Sequence, residues 1–394
     1  MSYISKLVFL LSGLVSVPVL RLLGGRHGHP VILFGSGFHR FVGNSKYLYL
    51  TMHRSEAFTC LWVAHSRVEQ QSLIARGCPV VRYGSPAHYR AGAQARAFII
   101  THNVTDVFPF KPKGVTVLQT WHGTPIKPIG WDSHVEQQWI ERKRKTGRRL
   151  PYEDWDTVLI SSRYALRCLV SAMRLPESTF RLLGQPQNVV WRQRDHEPDD
   201  TVTWPSGPAE HGNLSTILYA PTFRSDYSPL EVIDWDHVLT ALQQTLPGTI
   251  VGMRLHPHDE RSKNMFEDLM SRHSRVLTNM TDVDDIMEIL PATDVLMTDY
   301  SSVIFDYLWT ENPIIILTPD YHRYCQEVGE LYMDPRDLPS VVNCESTGEL
   351  MDVLCNLPVV DRDERKQAAR RYHSDYPDPP DWSNIVTGLI HRAE

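Results

Sequence analysis

Short apolar runs, each closing on a small, polar or histidine residue, recur along this chain with helix-forming or loop stretches between them. "PVILFGSGF", "YLYLTMHR", "FTCLWVAHS", "PVVRYGS", "RAFIITHN" and "GVTVLQTWHGTP" form a first set. Runs that are continuously hydrophobic belong to strands buried on both faces, and strands separated by helices pair in parallel. The pattern predicts a doubly wound α/β domain over residues 29–194, closed by "WDTVLISSRYALRCLVSAM" and "RLLGQPQNVVW". Residues 195–213 are polar and rich in Pro and Gly, which marks a linker. A second set follows over 214–370: "STILYAPTFR", "TIVGMRLHPH", "RVLTNM", "DVLMTDYSS" and "PIIILTP" read as strands, and "DIMEILPAT" and "SVIFDYLWT" as helices. The tail, 371–394, reads as helices interrupted by a Pro-rich break and placed to pack back on the N-terminal domain. The expectation is two Rossmann-like domains facing a central cleft, with ligands bound at the carboxyl ends of the strands.

Composition narrows the partners. With 22% charged residues and a formal net charge of −6, the 394-residue chain is not a nucleic-acid binder by bulk electrostatics. Six cysteines without a CxxC pair indicate reduced thiols rather than a disulfide frame or zinc site. Residues 1–28 differ from the rest. An uncharged run from Leu7 to Leu20, flanked by Lys6 and Arg21, is short for a spanning helix and contains Pro18. It reads as a membrane-associating surface helix, with a buried N-terminal helix or a signal segment as alternatives. Arg142, Lys143, Arg144, Lys145, Arg148 and Arg149 form a basic run that is either a solvated face or a patch for anionic lipid headgroups.

The chemistry sits at the expected strand ends. Ser301 and Ser302, where a helix should start, offer hydroxyls and free N–H groups to an anion. Asp299 and Asp306 flank them and suit loop amides or ligand hydroxyls better than phosphate. Arg254 and His256 in "RLHPH" supply charged donors for a diphosphate, and Thr222 and Arg224 in "YAPTFR" add to the same donor site. His258 reads as a loop histidine, and no spacing here resembles a metal-ligand set. In "VLQTWHGTPIK", Gly123 and Pro125 place His122 in a loop rather than a core. With Trp121, Gly123, Thr124 and Lys127 it forms the acceptor side, where an imidazole titrating near neutrality serves as a base. There is no GxGxxG, P-loop or GxSxG pattern. The short Asp pairs Asp154/Asp156 and Asp234/Asp236 are discounted as metal sites.

"QTWHGTPIK", "LYAPTFR", "RLHPH" and "DVLMTDYSSVIFDYL", in this order, resemble the CDP-glycerol glycerophosphotransferase family of teichoic acid synthesis. "FGSGFHRFVGNSKYLYL" resembles its N-terminal Asn-containing segment, and the likeness covers roughly residues 30–370. The resemblance implies a GT-B-type fold and transfer of glycerol phosphate from CDP-glycerol to a hydroxyl of a lipid-linked saccharide or polyol-phosphate chain. It implies His122 as base, His256 as partner at the donor phosphates, and Ser301 and Ser302 at the diphosphate. No cofactor or metal is expected, and the expected location is peripheral, on the cytoplasmic face of the membrane. CDP-ribitol or a nucleotide sugar remains the alternative donor, and a noncatalytic binder of anionic polymer the alternative class.

Overall fold

The computed structural model describes residues 29–193, 216–256, 259–357, 359–373 and 380–391. The apolar segment 1–28 with Lys6 and Arg21, the expected linker 195–213, and His258 lie outside the described residues.

Thirteen described strands form two sheets, and every strand pair is parallel. The first contains β1 (Val31–Phe34), β2 (Thr59–Ala64), β3 (Val80–Arg82), β4 (Ala95–Ile100), β5 (Thr116–Gln119), β6 (Thr157–Ile160) and β7 (Phe180–Leu182). Their order is β3-β2-β1-β4-β5-β6-β7. The second contains β8 (Thr216–Tyr219), β9 (Ile250–Met253), β10 (Leu277–Asn279), β11 (Val295–Thr298), β12 (Ile314–Leu317) and β13 (Val342–Cys344), in the order β10-β9-β8-β11-β12-β13. Each sheet starts at its centre, winds outward, and then crosses to the other side of its first strand. The switch points are β1/β4 and β8/β11, and ligand crevices open beyond the carboxyl ends of such strands.

Side-chain alternation explains why the strands are apolar on both faces. In the first sheet Leu33, Phe98, Val117 and Ile160 join the core on one face, while Ile32, Phe34, Trp62, Ile99 and Leu159 join that on the other. In the second, Ile217, Val251, Met297 and Ile315 face one way, and Leu218, Leu296, Ile314 and Ile316 the other. Both faces are covered by helices, so the strands are mostly apolar, and polar residues within them, such as Gln119 and Thr298, are buried and hydrogen-bonded. Helix starts are set by side-chain caps: Ser66, Ser133, Ser162 and Ser346 each accept a bond from the N–H three residues on. Asp234 caps the helix Trp235–Thr245 in the same way, which accounts for one of the two Asp pairs.

Three local expectations are corrected. "YLYLTMHR" lies largely in a helix, Gly43–Met52, in which Tyr47, Leu48, Tyr49 and Met52 are all buried. A helix enclosed on most sides loses its polar stripe and mimics a buried strand in sequence. "DIMEILPAT" forms two single 3₁₀ turns, Ile286–Glu288 and Leu290–Ala292, because Pro291 cannot continue an α-helical hydrogen-bond ladder. The helix after "TDYSS" has only five residues, Val303–Tyr307.

The chain end ties the domains together. The helix Arg362–Ala368 runs into a π turn ending at His373, and the Tyr372 carbonyl accepts the Ser162 hydroxyl at 2.8 Å. The helix Trp382–His391 then buries Trp382, Val386 and Ile390 in the N-terminal domain's core beside Leu48 and Met52.

Candidate functional site

The N-terminal wall of the cleft is built on β4 and β5. After β5, Trp121 adopts a left-handed backbone, φ 59°, which few non-glycine residues take without support. The support comes from Gln119, whose Oε1 accepts the Trp121 N–H at 2.9 Å, and from Asn44, whose Nδ2 bonds the Thr120 and Trp121 carbonyls at 3.2 and 3.1 Å. The turn delivers His122 into the cleft. Its Nδ1 lies 3.1 Å from the Thr101 carbonyl, so Nδ1 carries the proton and Nε2 holds a free lone pair. The ring meets cleft solvent, yet protein surrounds it closely, and that desolvation holds its pKa below the ordinary imidazole value. The bond to Thr101 offsets part of the shift. At neutral pH His122 is therefore a neutral base. Beneath it His102 stacks at 4.1 Å and 10°.

The C-terminal wall follows β8, β9 and β11. Ser302 touches the His122 loop directly: a Cβ on Gly123, at φ 153°, would stand 2.7 Å from Ser302 Oγ and 3.1 Å from its Cβ. Only glycine lets the two loops approach this closely. Ser302 precedes the short helix without using its hydroxyl as a cap, and Ser301 Oγ lies 3.4 Å from the Val303 N–H. His256 and Arg254 line the cleft with His122, His102, Ser301, Ser302 and Asp306, around a volume of about 410 Å³. His256 packs its ring against Phe223 at 5.6 Å. A shallower depression of about 520 Å³, lined by Tyr321, Cys325 and Asp334 among others, shares no residue with this cleft.

Several expected donor residues are placed elsewhere or otherwise occupied. Arg224 does not reach the cleft. It is fully buried, paired to Asp299 at 2.5 Å and to Asp320 at 2.9 Å, and it also bonds the Thr222 carbonyl. Asp299 spends its oxygens on Arg224 and on the N–H groups of Thr222 and Tyr300, so it braces the loop. Thr222 is buried, and its Oγ1 has no partner among the described residues. Arg254 lines the cleft, but Nη1 and Nη2 bond the carbonyls of Met280 and Asp284 at 3.0 Å each, and that of Val283. Burial lowers its pKa, with Asp285 and Asp284 acting against that. Asp306 is buried and accepts the Gln187 amide at 2.8 Å, and desolvation pushes its carboxyl up to about 7.

On the acceptor side Thr124 is buried, with Oγ1 within 3.5 Å of Ser161 Oγ and 3.4 Å of the Tyr372 carbonyl. Lys127 does not line the cleft. Burial lowers its pKa, partly countered by Asp299 across the interface. The basic run caps the helix His134–Lys145. Arg144 pairs with Glu153 at 3.0 Å, Arg149 with Asp154 at 3.1 Å, and Lys143 stacks over Trp139 at 4.3 Å.

Residues that sequence reasoning did not single out complete the site. Lys46 is buried and crosses the domain interface to Asp285 at 2.8 Å and Glu288 at 2.5 Å. Arg40 reaches Asp284 at 3.0 Å. Gln187, Thr101 and His102 were equally unremarked; the "THN" after the β4 run was the available signal for the last two. Among the described residues no group of three or more His, Cys, Asp or Glu side chains is placed to hold a metal ion, and no helix is long and apolar enough to cross a membrane.

Two doubly wound parallel sheets that offer a neutral histidine from one wall and hydroxyls, an arginine and a histidine from the other define a two-domain protein of the GT-B kind. Solved structures of the wall teichoic acid polymerase TagF share the fold, one with a TM-score of 0.70 at 20% identity over 99% of this chain and 97% of that one. A Neisseria meningitidis UDP-GlcNAc 2-epimerase bound to UDP-GlcNAc is more distant, with a TM-score of 0.53 at 11% identity over 92% and 100% of the two chains. The fold alone does not separate transferase from epimerase; the sequence does. Residues 26–379 match the CDP-Glycerol:Poly(glycerophosphate) glycerophosphotransferase family, and the chain belongs to it. A teichoic acid glycerol-phosphate transferase of Staphylococcus aureus (strain NCTC 8325 / PS 47) is 27% identical over 343 residues, 82% of this chain and 83% of that protein. A teichoic acid poly(glycerol phosphate) polymerase of Staphylococcus epidermidis is 26% identical over 380 residues, 92% of this chain but half of the polymerase.

Proposed function

We propose that the protein transfers glycerol phosphate from CDP-glycerol to a hydroxyl of a lipid-linked saccharide or polyol-phosphate acceptor, in teichoic acid or related cell-wall polymer synthesis. The observation that carries this reading is His122: a neutral imidazole, its Nδ1–H anchored on the Thr101 carbonyl, with Nε2 unpaired among the described residues and open to a cleft shared with Arg254, His256, Ser301 and Ser302. The acceptor oxygen attacks the β-phosphorus while its proton passes to His122 Nε2. The new O–P bond forms as the bond to the α-phosphate oxygen breaks, and CMP leaves. Arg254, His256 and the two serine hydroxyls meet the charge on the phosphates, with no metal in this reading. With Arg224 held in its buried ion pairs, this smaller set carries the anion.

CMP release from CDP-glycerol in the presence of a lipid-linked disaccharide tests the assignment. His122→Ala should lose about 10²- to 10⁴-fold in turnover with its circular dichroism unchanged; near-normal turnover would sink the base. CDP-ribitol and UDP-sugars in the same assay resolve the donor, and faster release from either would displace glycerol. A ribitol-phosphate polymerase of Bacillus spizizenii is 33% identical over 123 residues, which makes that comparison worth running.

The same proposal places the protein peripherally on the cytoplasmic face of the membrane. Arg142, Lys145 and Arg148 are exposed beside the exposed apolar side chains Val135 and Trp139 on one helix and its following turn. Cosedimentation with phosphatidylglycerol vesicles, lost on charge reversal at these three residues, is the expected result.

A further inference from the structure

Two imidazoles are stacked on the acceptor wall, and the reaction above uses only one. His102 is held as tightly as His122. Its N–H donates to Asp106 Oδ2 at 2.9 Å, and its carbonyl accepts the Gln119 amide at 2.8 Å. Phe38 sets its ring edge-on at 5.2 Å, and a Cβ at Gly37 would stand 2.2 Å from its Cγ and Nδ1. Thr101 bonds both rings. Its carbonyl takes the His122 Nδ1–H. Its hydroxyl oxygen accepts the Gly37 N–H at 2.9 Å, and among the described residues the hydroxyl hydrogen has no other acceptor than His102 Nδ1, also 2.9 Å away, so it donates there. The two rings therefore hold opposite neutral tautomers: His122 is protonated on Nδ1, His102 on Nε2. His102 Nε2 has no protein partner among the described residues and is not sealed from solvent, and the ring lines the cleft. Burial, with His122 and His39 nearby, pushes the His102 pKa down to about 2, which keeps the ring neutral throughout the working range.

We infer that His102 is a second substrate-contacting residue: a neutral donor whose Nε2–H bonds an oxygen of the substrate beside the hydroxyl that His122 deprotonates. This rests on the assignment of His122 as base. One threonine thus makes an acceptor and a donor of two adjacent imidazoles, and a polyol or sugar offers both kinds of oxygen side by side. A neutral donor also leaves His122 its basicity, since a cation stacked at 4.1 Å would oppose protonation of the base.

Histidine-selective ¹⁵N NMR of the full chain reads the tautomers without reference to activity. The expected result is an Nε2–H form at His102 that does not titrate between pH 5 and 8; an Nδ1–H form, or protonation within that range, overturns the inference. Kinetics provide a second reading. His102→Phe keeps a flat ring on His122 but removes the donor, and should lower kcat/KM about tenfold, the weight of one ordinary hydrogen bond. His102→Gln restores an N–H and should recover part of that loss. Wild-type turnover in His102→Phe would reduce His102 to packing and overturn the donor role alone. Retained turnover in His122→Ala, run in parallel, would overturn the base and the role given to His102 with it.

Discussion

The two walls of the cleft are the same fold used in opposite ways. Each is a doubly wound sheet with its switch point turned to the cleft. On the N-terminal wall, the polar groups at the strand ends brace their own backbone and leave His122 Nε2 and His102 Nε2 without a protein partner among the described residues. On the C-terminal wall the strongest cation, Arg224, is consumed by Asp299 and Asp320, and Arg254 is half engaged with loop carbonyls. The first wall presents chemistry; the second spends most of its charge on holding its loops still, and turns the Ser301 and Ser302 hydroxyls and the remainder of one guanidinium to the cleft beside His256. An arginine at a strand end is thus no sign of anion binding until its carboxylates are known.

The sharpest break of this contrast is Arg224→Met. It leaves two buried carboxylates without their cation, and we expect a loss of about 3–5 kcal/mol in urea unfolding. A variant of normal stability with weakened donor affinity would instead return Arg224 to the binding surface. Lys46→Met removes the buried cation that joins the walls through Asp285 and Glu288; a loss of about 3 kcal/mol is expected, with a larger radius of gyration by X-ray scattering as the domains part.

Gly123→Ala probes the closest approach of the walls. Backbone strain and the clash with Ser302 together cost about 2 kcal/mol, and Ser302→Gly in the same chain should recover the clash component. Strict additivity in that double-mutant cycle would show that the loops do not touch.

Asp306→Asn has the smallest effect, on the order of 1 kcal/mol. The folded carboxyl, near 7, lies above its unfolded value, so the folded state holds the proton more tightly. Its contribution is complete at acid pH and declines as pH rises towards 7. The variant should therefore gain stability relative to wild type across that interval, measured as melting temperature against pH.

Much of this was legible beforehand because it is local. A strand buried on both faces is mostly apolar, and the residues that follow must turn, so His122, His256 and the two serines could be set at strand ends. Where local signals failed, enclosure was the cause. The helix Gly43–Met52 has no polar face to reveal its period, and His102 sits in a run whose only mark was one histidine after β4. Arg224 and Thr222 were placed on the right loop but given the wrong surroundings.

The sequence by itself determined the two parallel sheets, the ends at which chemistry could occur and the family to which those ends belong, since apolar continuity and loop residues act over a few positions. Only the tertiary structure decided which polar groups stay open to a ligand. Lys46 finds its carboxylate 239 residues away, Arg224 finds Asp320 after 96, and His122 is oriented by a carbonyl 21 residues earlier. A hydrogen bond depends on distance in space, and nothing along the chain records which donor has already been taken.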